Sequence, residues 1–222
     1  MLYIISTPIG NLGDITLRAL ETLKSVDAVL CEDTRVTAGL LDHFNIKKRL
    51  ISLNAQNENN KTARIIEFLK SGETIALVSD AGTPSISDPG IRLISEVIKN
   101  NIKVVPIPGV SAPITALTIA GLPTDTFSFD GFIPQKKGRQ KYLSSLLTNE
   151  RTAVFFESSH RIEKLINELA VVIPDRKMAV CRELTKMHEE VWRGTAAQIK
   201  EAFPAYIIKG EFVVLISPVW WK

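Results

Sequence analysis

Cysteine is scarce: Cys31 and Cys181 stand alone in apolar runs, with no Cys-x-x-Cys pair and no Cys/His cluster. That spacing excludes a disulfide-built scaffold and a structural zinc module, so two buried, reduced thiols and no metal are expected. No run of about 18 apolar residues is present, so no transmembrane helix is expected. The chain enters an apolar segment at Leu2 without a basic region or a small-residue cleavage site, which reads as a first strand rather than a signal peptide and implies a cytoplasmic protein. Repeats and low-complexity tracts are lacking as well. A net charge of +3 does not demand a nucleic-acid partner, although it permits one. Hydrophobic and charged fractions of 45% and 23% are those of an ordinary globular chain.

What is present is an alternation. Short apolar runs at residues 2–6, 28–31, 50–53, 75–78 and 103–107 are separated by segments with apolar residues at helical spacing, such as Leu17, Leu20 and Leu23 or Ile66 and Leu69. Strands alternating with amphipathic helices predict an α/β domain, mainly a parallel five-stranded sheet, over residues 1–115. Proline and glycine crowd residues 108–123, marking a boundary. A second α/β domain is expected over 116–222, with a mixed sheet from runs at 127–132, 153–156, 178–181, 190–193 and 212–216. Thr195 reads as a helix cap. Phe127, Phe129 and Phe132 alternate along one run and read as core. Domain interfaces are common ligand sites, so a ligand cleft between the two domains is expected.

The chain is organised around residues 75–90, which pass from an unbroken apolar run into a small-residue loop containing Asp80, Gly82, Thr83 and Ser87. Asp88 is placed to cap a following helix with Pro89 at its first position. Loops leaving the carboxyl ends of parallel strands are where open α/β sheets bind ligands. Pro8, Gly10 and Gly13 partly imitate a dinucleotide fingerprint, with Glu32 and Asp33 at the end of the second strand. Pro8 stands at the first glycine position, which argues against NAD and leaves adenosine recognition without a pyrophosphate open. Gly109, Ser111 and Ala112 repeat the pattern after the fifth strand. The convergence of these three loops at one sheet edge is the strongest functional signal in the residues alone.

Six motifs, beginning at Thr7, Glu32, Ser79, Pro108, Phe155 and Cys181 and read as TPIGNLGD, EDTR, SDAGTPSISDPG, PGVSA, FFESSHRI and CRELTK, together resemble the tetrapyrrole-methylase superfamily, in the branch that modifies small-subunit ribosomal RNA. The resemblance runs from residue 2 to about 216 in order and spacing. It implies two α/β domains, S-adenosylmethionine held folded between them, a homodimer, and methyl transfer to the ribose 2'-hydroxyl of a cytidine in 16S ribosomal RNA within the 30S subunit. By position it sets the donor against Pro8, Gly82, Thr83, Pro84, Ile86, Ser87, Ser111 and Ala112, and in the second domain against Phe156, Leu184 and Glu211.

A ribose hydroxyl is a poor nucleophile until its proton begins to leave, so a general base is sought among Asp33, Asp80, Glu157, His160, Glu183 and Lys186. Arg35, Arg161 and Arg182 are candidates for RNA phosphates, or alternatively members of an ion-pair network with neighbouring carboxylates. Lys136, Lys137 and Arg139 form the basic segment best suited to phosphate outside the cleft. Trp192, Trp220 and Trp221 are candidates for base stacking. Family members commonly carry a further helical segment beyond the strand matched by 212–216, whereas this sequence ends at Val219-Trp-Trp-Lys222, so RNA contact from such a tail is expected to be lacking. Competing readings are a tetrapyrrole-type small-molecule methylase, a non-catalytic donor-binding ribosome-assembly factor and, least favoured, a nicotinamide oxidoreductase.

Overall fold

The computed structural model describes residues 1–203 and 209–221. The chain divides into two units, Met1–Ser111 and Ala112–Lys222. In the first, β1 (Leu2–Ile5), β2 (Ala28–Cys31), β3 (Arg49–Ser52), β4 (Ile75–Leu77) and β5 (Val104–Ile107) pair in parallel, in the order β3-β2-β4-β1-β5. Every residue of β2 and β4 is buried. An apolar run can bury both sets of its alternating side chains only if both faces of the sheet are covered. Helices α1 (Leu17–Ser25), α2 (Thr34–His43), α3 (Glu58–Lys70) and α4 (Ile91–Lys99) provide that cover. Ile5, Val29 and Ala76 pack with Leu23 and Leu41 on one side, while Leu2, Leu30 and Ile75 pack with Ile65, Leu69, Leu93 and Val97 on the other.

Helix α4 departs from the sequence expectation. It begins at Ile91 behind Gly90, whose φ of 123° suits glycine, and no side chain of the preceding loop caps it. Asp88 instead turns toward the Ser79 hydroxyl. The capping carboxylate comes from Glu58 in α3, which accepts the Leu93 N–H at 3.0 Å. A Cβ on Gly90 would stand 2.7 Å from Leu77 Cδ2, so close packing of the loop on β4 fixes glycine there and moves the helix start past Pro89.

In the second unit α5 (Ala112–Ala120) precedes β6 (Phe127–Phe132), α6 (Arg139–Ser145), β7 (Thr152–Ser158), α7 (Ser159–Val172), β8 (Lys177–Arg182), β9 (Glu190–Thr195), α8 (Ala196–Ala202) and β10 (Glu211–Ile216). The sheet order is β6-β7-β10-β8-β9, with β6 parallel to β7 and the other pairs antiparallel. Phe155, Val180, Phe212 and Val214 meet Leu143, Leu165, Leu169 and Ile199 of α6, α7 and α8 in one core. Thr195 caps α8 in a reciprocal capping box with Gln198. Helix α5 packs on β8 and β10, which is why the division falls between Ser111 and Ala112 and not at 115, where it would cut a helix in two.

The phenylalanines of β6 correct the core expectation: Phe127 is 38% and Phe132 59% exposed. β6 is an edge strand, and its alternate residue Asp130 points toward the helices, accepting the Tyr142 hydroxyl at 2.8 Å. The phenylalanines therefore stand on the opposite face, and helix α5 packs on β8 and β10.

Candidate functional site

Three strand ends of the first unit are stitched together by short polar contacts. Beyond β1, Thr7 N–H donates to the Gly82 carbonyl at 2.9 Å and Gly82 N–H returns a bond to the Thr7 carbonyl at 3.1 Å, a two-residue bridge between the β1 and β4 loops. The Thr7 hydroxyl donates to the Ser79 carbonyl at 3.1 Å. The Thr83 hydroxyl donates to the Val110 carbonyl at 2.9 Å and pairs with the Ser6 hydroxyl at 2.9 Å, which ties in the loop after β5. Glycine permits this approach: a Cβ on Gly109 would lie 2.9 Å from Ser6 Cβ, and one on Gly82, at φ 81°, would lie 3.3 Å from Ile9 Cγ2.

Of the residues the sequence placed here, Pro8, Gly82 and Pro84 are buried, Thr83 and Ser111 are half-buried, and Ile86 and Ser87 face solvent. Ser85 and Ser87 both adopt left-handed backbone, φ 67° and 68°. Such conformations in non-glycine residues cost about 1–3 kcal/mol each and gather at functional loops. Ala112 opens α5 and belongs to the second unit.

An acidic rim flanks these loops. Asp80 Oδ1 accepts the Asp33 N–H at 3.0 Å, joining the ends of β4 and β2. Asp33 is the N-cap of α2, and its carboxylate accepts the Arg35 backbone N–H at 2.8 Å and the Arg35 guanidinium at 2.6 Å. Those side-chain and backbone bonds from Arg35 hold the Asp33 carboxyl far below its usual range, at about 2. Arg35 is nevertheless exposed, with 88% of its side chain accessible. Asp88 moves the other way, to about 6, because burial and the Glu32 carboxylate outweigh its bond from Ser79. Burial, then Asp80 and Asp33, also raise Glu32.

At one end of the second sheet, Ser158 pairs with Glu211 and Arg182 with Phe212, so register brings Phe156, Leu184 and Glu211 to the same sheet end. The turn after β8 is held by charge. Lys186 Nζ reaches Glu183 at 3.0 Å and Glu211 at 2.7 Å, and Glu183 accepts the Glu211 N–H at 3.0 Å. Glu183 and Thr185, on either side of Leu184, have φ of 50° and 67°. Burial alone would raise Glu183, but the Glu211 N–H and the Lys186 ammonium outweigh it and hold the carboxyl low. Burial likewise opposes charge on Lys186, and the two carboxylates override it, raising its pKa. Arg182 donates to the Lys209 carbonyl and pairs with Glu190 at 2.5 Å.

The basic segment is divided by burial. Lys136 and Lys137 are exposed, but Arg139 is 4% exposed and corrects the phosphate-binding expectation for that residue. Its guanidinium pairs with Glu168 at 2.6 Å and with fully buried Glu157 at 3.4 Å, because α6 packs this side of its first turn against α7. Glu157 also accepts Arg161 Nε at 2.6 Å. The ion-pair alternative for Arg35, Arg161 and Arg182 matches their contacts, with Asp33, Glu157 and Glu190; Arg139, outside that alternative, is paired as well, and Glu157 is committed to two cations. His160 is exposed and lines a groove of about 580 Å³ between α6 and α7 with Gln140, Lys164 and Asn167. Trp192 packs against Phe203 beside the core, whereas Trp220 and Trp221 are exposed and edge-to-face at 6.0 Å.

Sequence reasoning missed Ser6, Thr7 and Ser79 as the stitches, and Glu58 as a cap. Thr7 and Ser79 open two of the quoted motifs and Ser6 directly precedes one; all three are small hydroxyls at strand ends, a signal that was there to read. Glu58 had none, because its partner is 35 residues away in sequence.

Loops at the ends of a parallel sheet that contain no lysine or arginine, tied by hydroxyls and bordered by acids, define a two-unit α/β protein suited to a small ligand without phosphates. The profile of the tetrapyrrole (corrin/porphyrin) methylases matches residues 1–200, and the chain belongs to that family. A ribosomal RNA small subunit methyltransferase I from Halalkalibacterium halodurans is 44% identical over 231 residues, covering 100% of this chain and 80% of the relative. One of the same name from Thermotoga maritima is 43% identical over 97% of both chains. Relatives with that name thus occur both longer than this chain and matched almost end to end. Among solved structures, diphthine synthase superposes with a TM-score of 0.74 at 17% identity, over 97% of this chain and 89% of its own. A uroporphyrin-III C-methyltransferase from Thermus thermophilus, complexed with S-adenosyl homocysteine, gives 0.66 at 16% identity, over 98% and 97%. At that identity the likeness concerns the fold.

Proposed function

We propose that this chain is an S-adenosylmethionine-dependent methyltransferase of small-subunit ribosomal RNA, acting on the ribose 2'-hydroxyl of a cytidine in 16S RNA within the 30S particle. The observation that carries the reading is full-length likeness to proteins named for methyl transfer to that RNA. The first unit suits the donor chemically. A sulfonium ligand with an amino group is cationic and needs no phosphate cradle, which agrees with loops free of lysine and arginine and an acidic rim of Glu32, Asp80 and Asp88. Gly82 and Gly109 let the three loops close on one another and hold the strand ends in place for a ligand. On this reading the donor contacts are Pro8, Gly82, Thr83, Pro84, Ile86, Ser87 and Ser111 from the first unit, and Ala112, Phe156, Leu184 and Glu211 from the second.

The donor supplies an already activated methyl group. The chain then has to align the hydroxyl, exclude water and accept a proton. Asp33 and Glu183 are held low by their cationic partners, Lys186 is held protonated and Glu157 is committed to two arginines. Proton acceptance accordingly falls to Asp80 or His160. Arg35, Arg161, Arg182, Lys136 and Lys137 are the phosphate contacts of the proposal, and Arg139 is not. No helix among the described residues is long and apolar enough to cross a membrane, and a cytoplasmic homodimer acting where ribosomes assemble is part of the proposal.

The test is calorimetric titration with S-adenosylmethionine, S-adenosylhomocysteine and NAD, then tritiated-methyl transfer to 30S particles from a strain lacking the modification. Binding of the first two with label on a ribose is expected. Transfer to a porphyrinoid with the particles left untouched would overturn the acceptor. Binding without any turnover would favour an assembly factor.

A further inference from the structure

We propose that the exposed face of β6, centred on Phe132 and backed by Phe156, is a stacking platform for an unpaired base of the RNA substrate, with Lys136 and Lys137 beside it for the adjoining phosphates. This rests on the reading of the chain as an RNA methyltransferase.

The argument starts from register. Phe129 pairs with Val154 and Phe132 with Phe156, so β6 spends one residue more than β7 between the two pairs. That extra residue is a β-bulge, and Gly131, at φ 61°, supplies the left-handed backbone it needs. In an unbulged strand, residues 129 and 132 would point to opposite faces. The bulge returns Phe132 to the face of Phe129, and both rings converge on Phe156, with centroids 5.1 Å and 5.4 Å away. The next residue, Ile133, is 2% exposed. The strand thus resumes its core contact immediately after presenting one ring outward.

That ring remains 59% exposed, and Phe127 on the same strand 38%. Exposing two phenylalanines on an edge strand is unfavourable for solubility unless something covers them. The flanking chemistry selects the partner. Lys136 and Lys137 follow the strand directly, both exposed, and Arg139 beyond them neutralises Glu157 and Glu168, so these carboxylates do not offset the lysines. Aromatic rings on a sheet beside unpaired cations are the combination by which proteins hold single-stranded RNA, rings for base faces and cations for phosphates. A second copy of the chain, equally basic here, would meet like charge.

Phe132→Ala, Phe132→Leu and Phe132→Trp are made in the full chain and compared with wild type. Measured are KM for unmodified 30S particles, particle binding by filter retention, S-adenosylhomocysteine affinity and oligomeric state. Because the side chain is mostly in solvent, all three should fold. The alanine and leucine variants should lose roughly 5- to 150-fold in particle affinity and KM, the range for one stacked base. Tryptophan should retain wild-type values, and donor affinity should not move. Unchanged particle affinity in the alanine variant overturns the platform. A loss of S-adenosylhomocysteine affinity would assign the ring to the donor, and dissociation of an oligomer would assign the face to a second copy; either result overturns it. If wild type transfers no methyl, the enzymatic reading falls by itself, and the filter assay still decides Phe132.

Discussion

The carboxylate of Glu58, in the first turn of α3, accepts the backbone N–H of Leu93, in the first turn of α4, at 3.0 Å and with both residues buried. One helix thereby caps its neighbour, and the β4 loop between them is released from capping and left free to turn.

Glu58→Ala should accordingly destabilise the first unit. Loss of a cap costs about 0.5–2 kcal/mol, and a buried N–H left without an acceptor adds to that. We expect the urea midpoint to fall by the equivalent of about 2 kcal/mol, with Glu58→Gln recovering most of it through its amide oxygen. Asp88→Ala should show no cap loss. A larger effect at 88 than at 58 would return the capping role to the loop.

Strand positions were legible because fully covered parallel strands read as short apolar runs, and all five in the first unit lie where the runs predicted. Thr195 was legible as a cap because its partner Gln198 is a neighbour in sequence. Glu58, Arg139 and Phe132 share the opposite property. Each takes its role from a partner on another element, Leu93, Glu157 or Phe156, and nothing local marks it. Phe132 misled actively: a regular strand would set it on the face opposite Phe127 and Phe129, and only a bulge, announced by nothing more than Gly131, brings it to their face. The candidate loops were readable for a related reason: glycine, proline and small hydroxyls at strand ends have few purposes other than turning the backbone and leaving it open.

Gly82→Val should weaken S-adenosylmethionine binding by at least 10-fold in calorimetry, because its side chain would enter the 3.3 Å gap to Ile9 and strain a backbone at φ 81°. Strain alone is controlled by Gly72→Ala, at φ 98° with nothing within 4 Å of the new Cβ. That variant should lose about 1 kcal/mol of stability and keep donor affinity. Equal donor loss in both would mean that general destabilisation, not the loop, is being read.

The acidic rim gives a pH dependence with a definite sign. Asp88 titrates at about 6 in the folded chain against 3.8 for the unperturbed group. The folded state therefore holds this proton more tightly than the unfolded one. Its stabilising contribution is fully present below 3.8 and is lost as pH rises through 6. Asp88→Asn removes the ionisation, so its stability relative to wild type should increase between pH 4 and pH 7, as followed by urea midpoints. A gap between the two proteins that stays constant across this range would remove Asp88 as the titrating group.

Lys186 offers the sharpest separation of positioning from proton transfer. Its ammonium bridges Glu183 and Glu211 and steadies a turn in which Glu183 and Thr185 both hold left-handed backbone around Leu184. A lysine so paired is protonated at neutral pH and is a poor general base. Lys186→Met should relax the turn, leaving Glu183 and Glu211 to repel each other, and weaken donor binding about 10-fold. Stability should fall by only about 1 kcal/mol, since the pair is part-exposed and screened. The rate of methyl transfer at saturating donor should stay within a few-fold of wild type, and its pH profile should be unshifted. Lys186→Arg, which can still reach both carboxylates, should recover most of the donor affinity. A collapse of the saturated rate with donor affinity intact would reverse the assignment and make Lys186 the group that accepts the ribose proton.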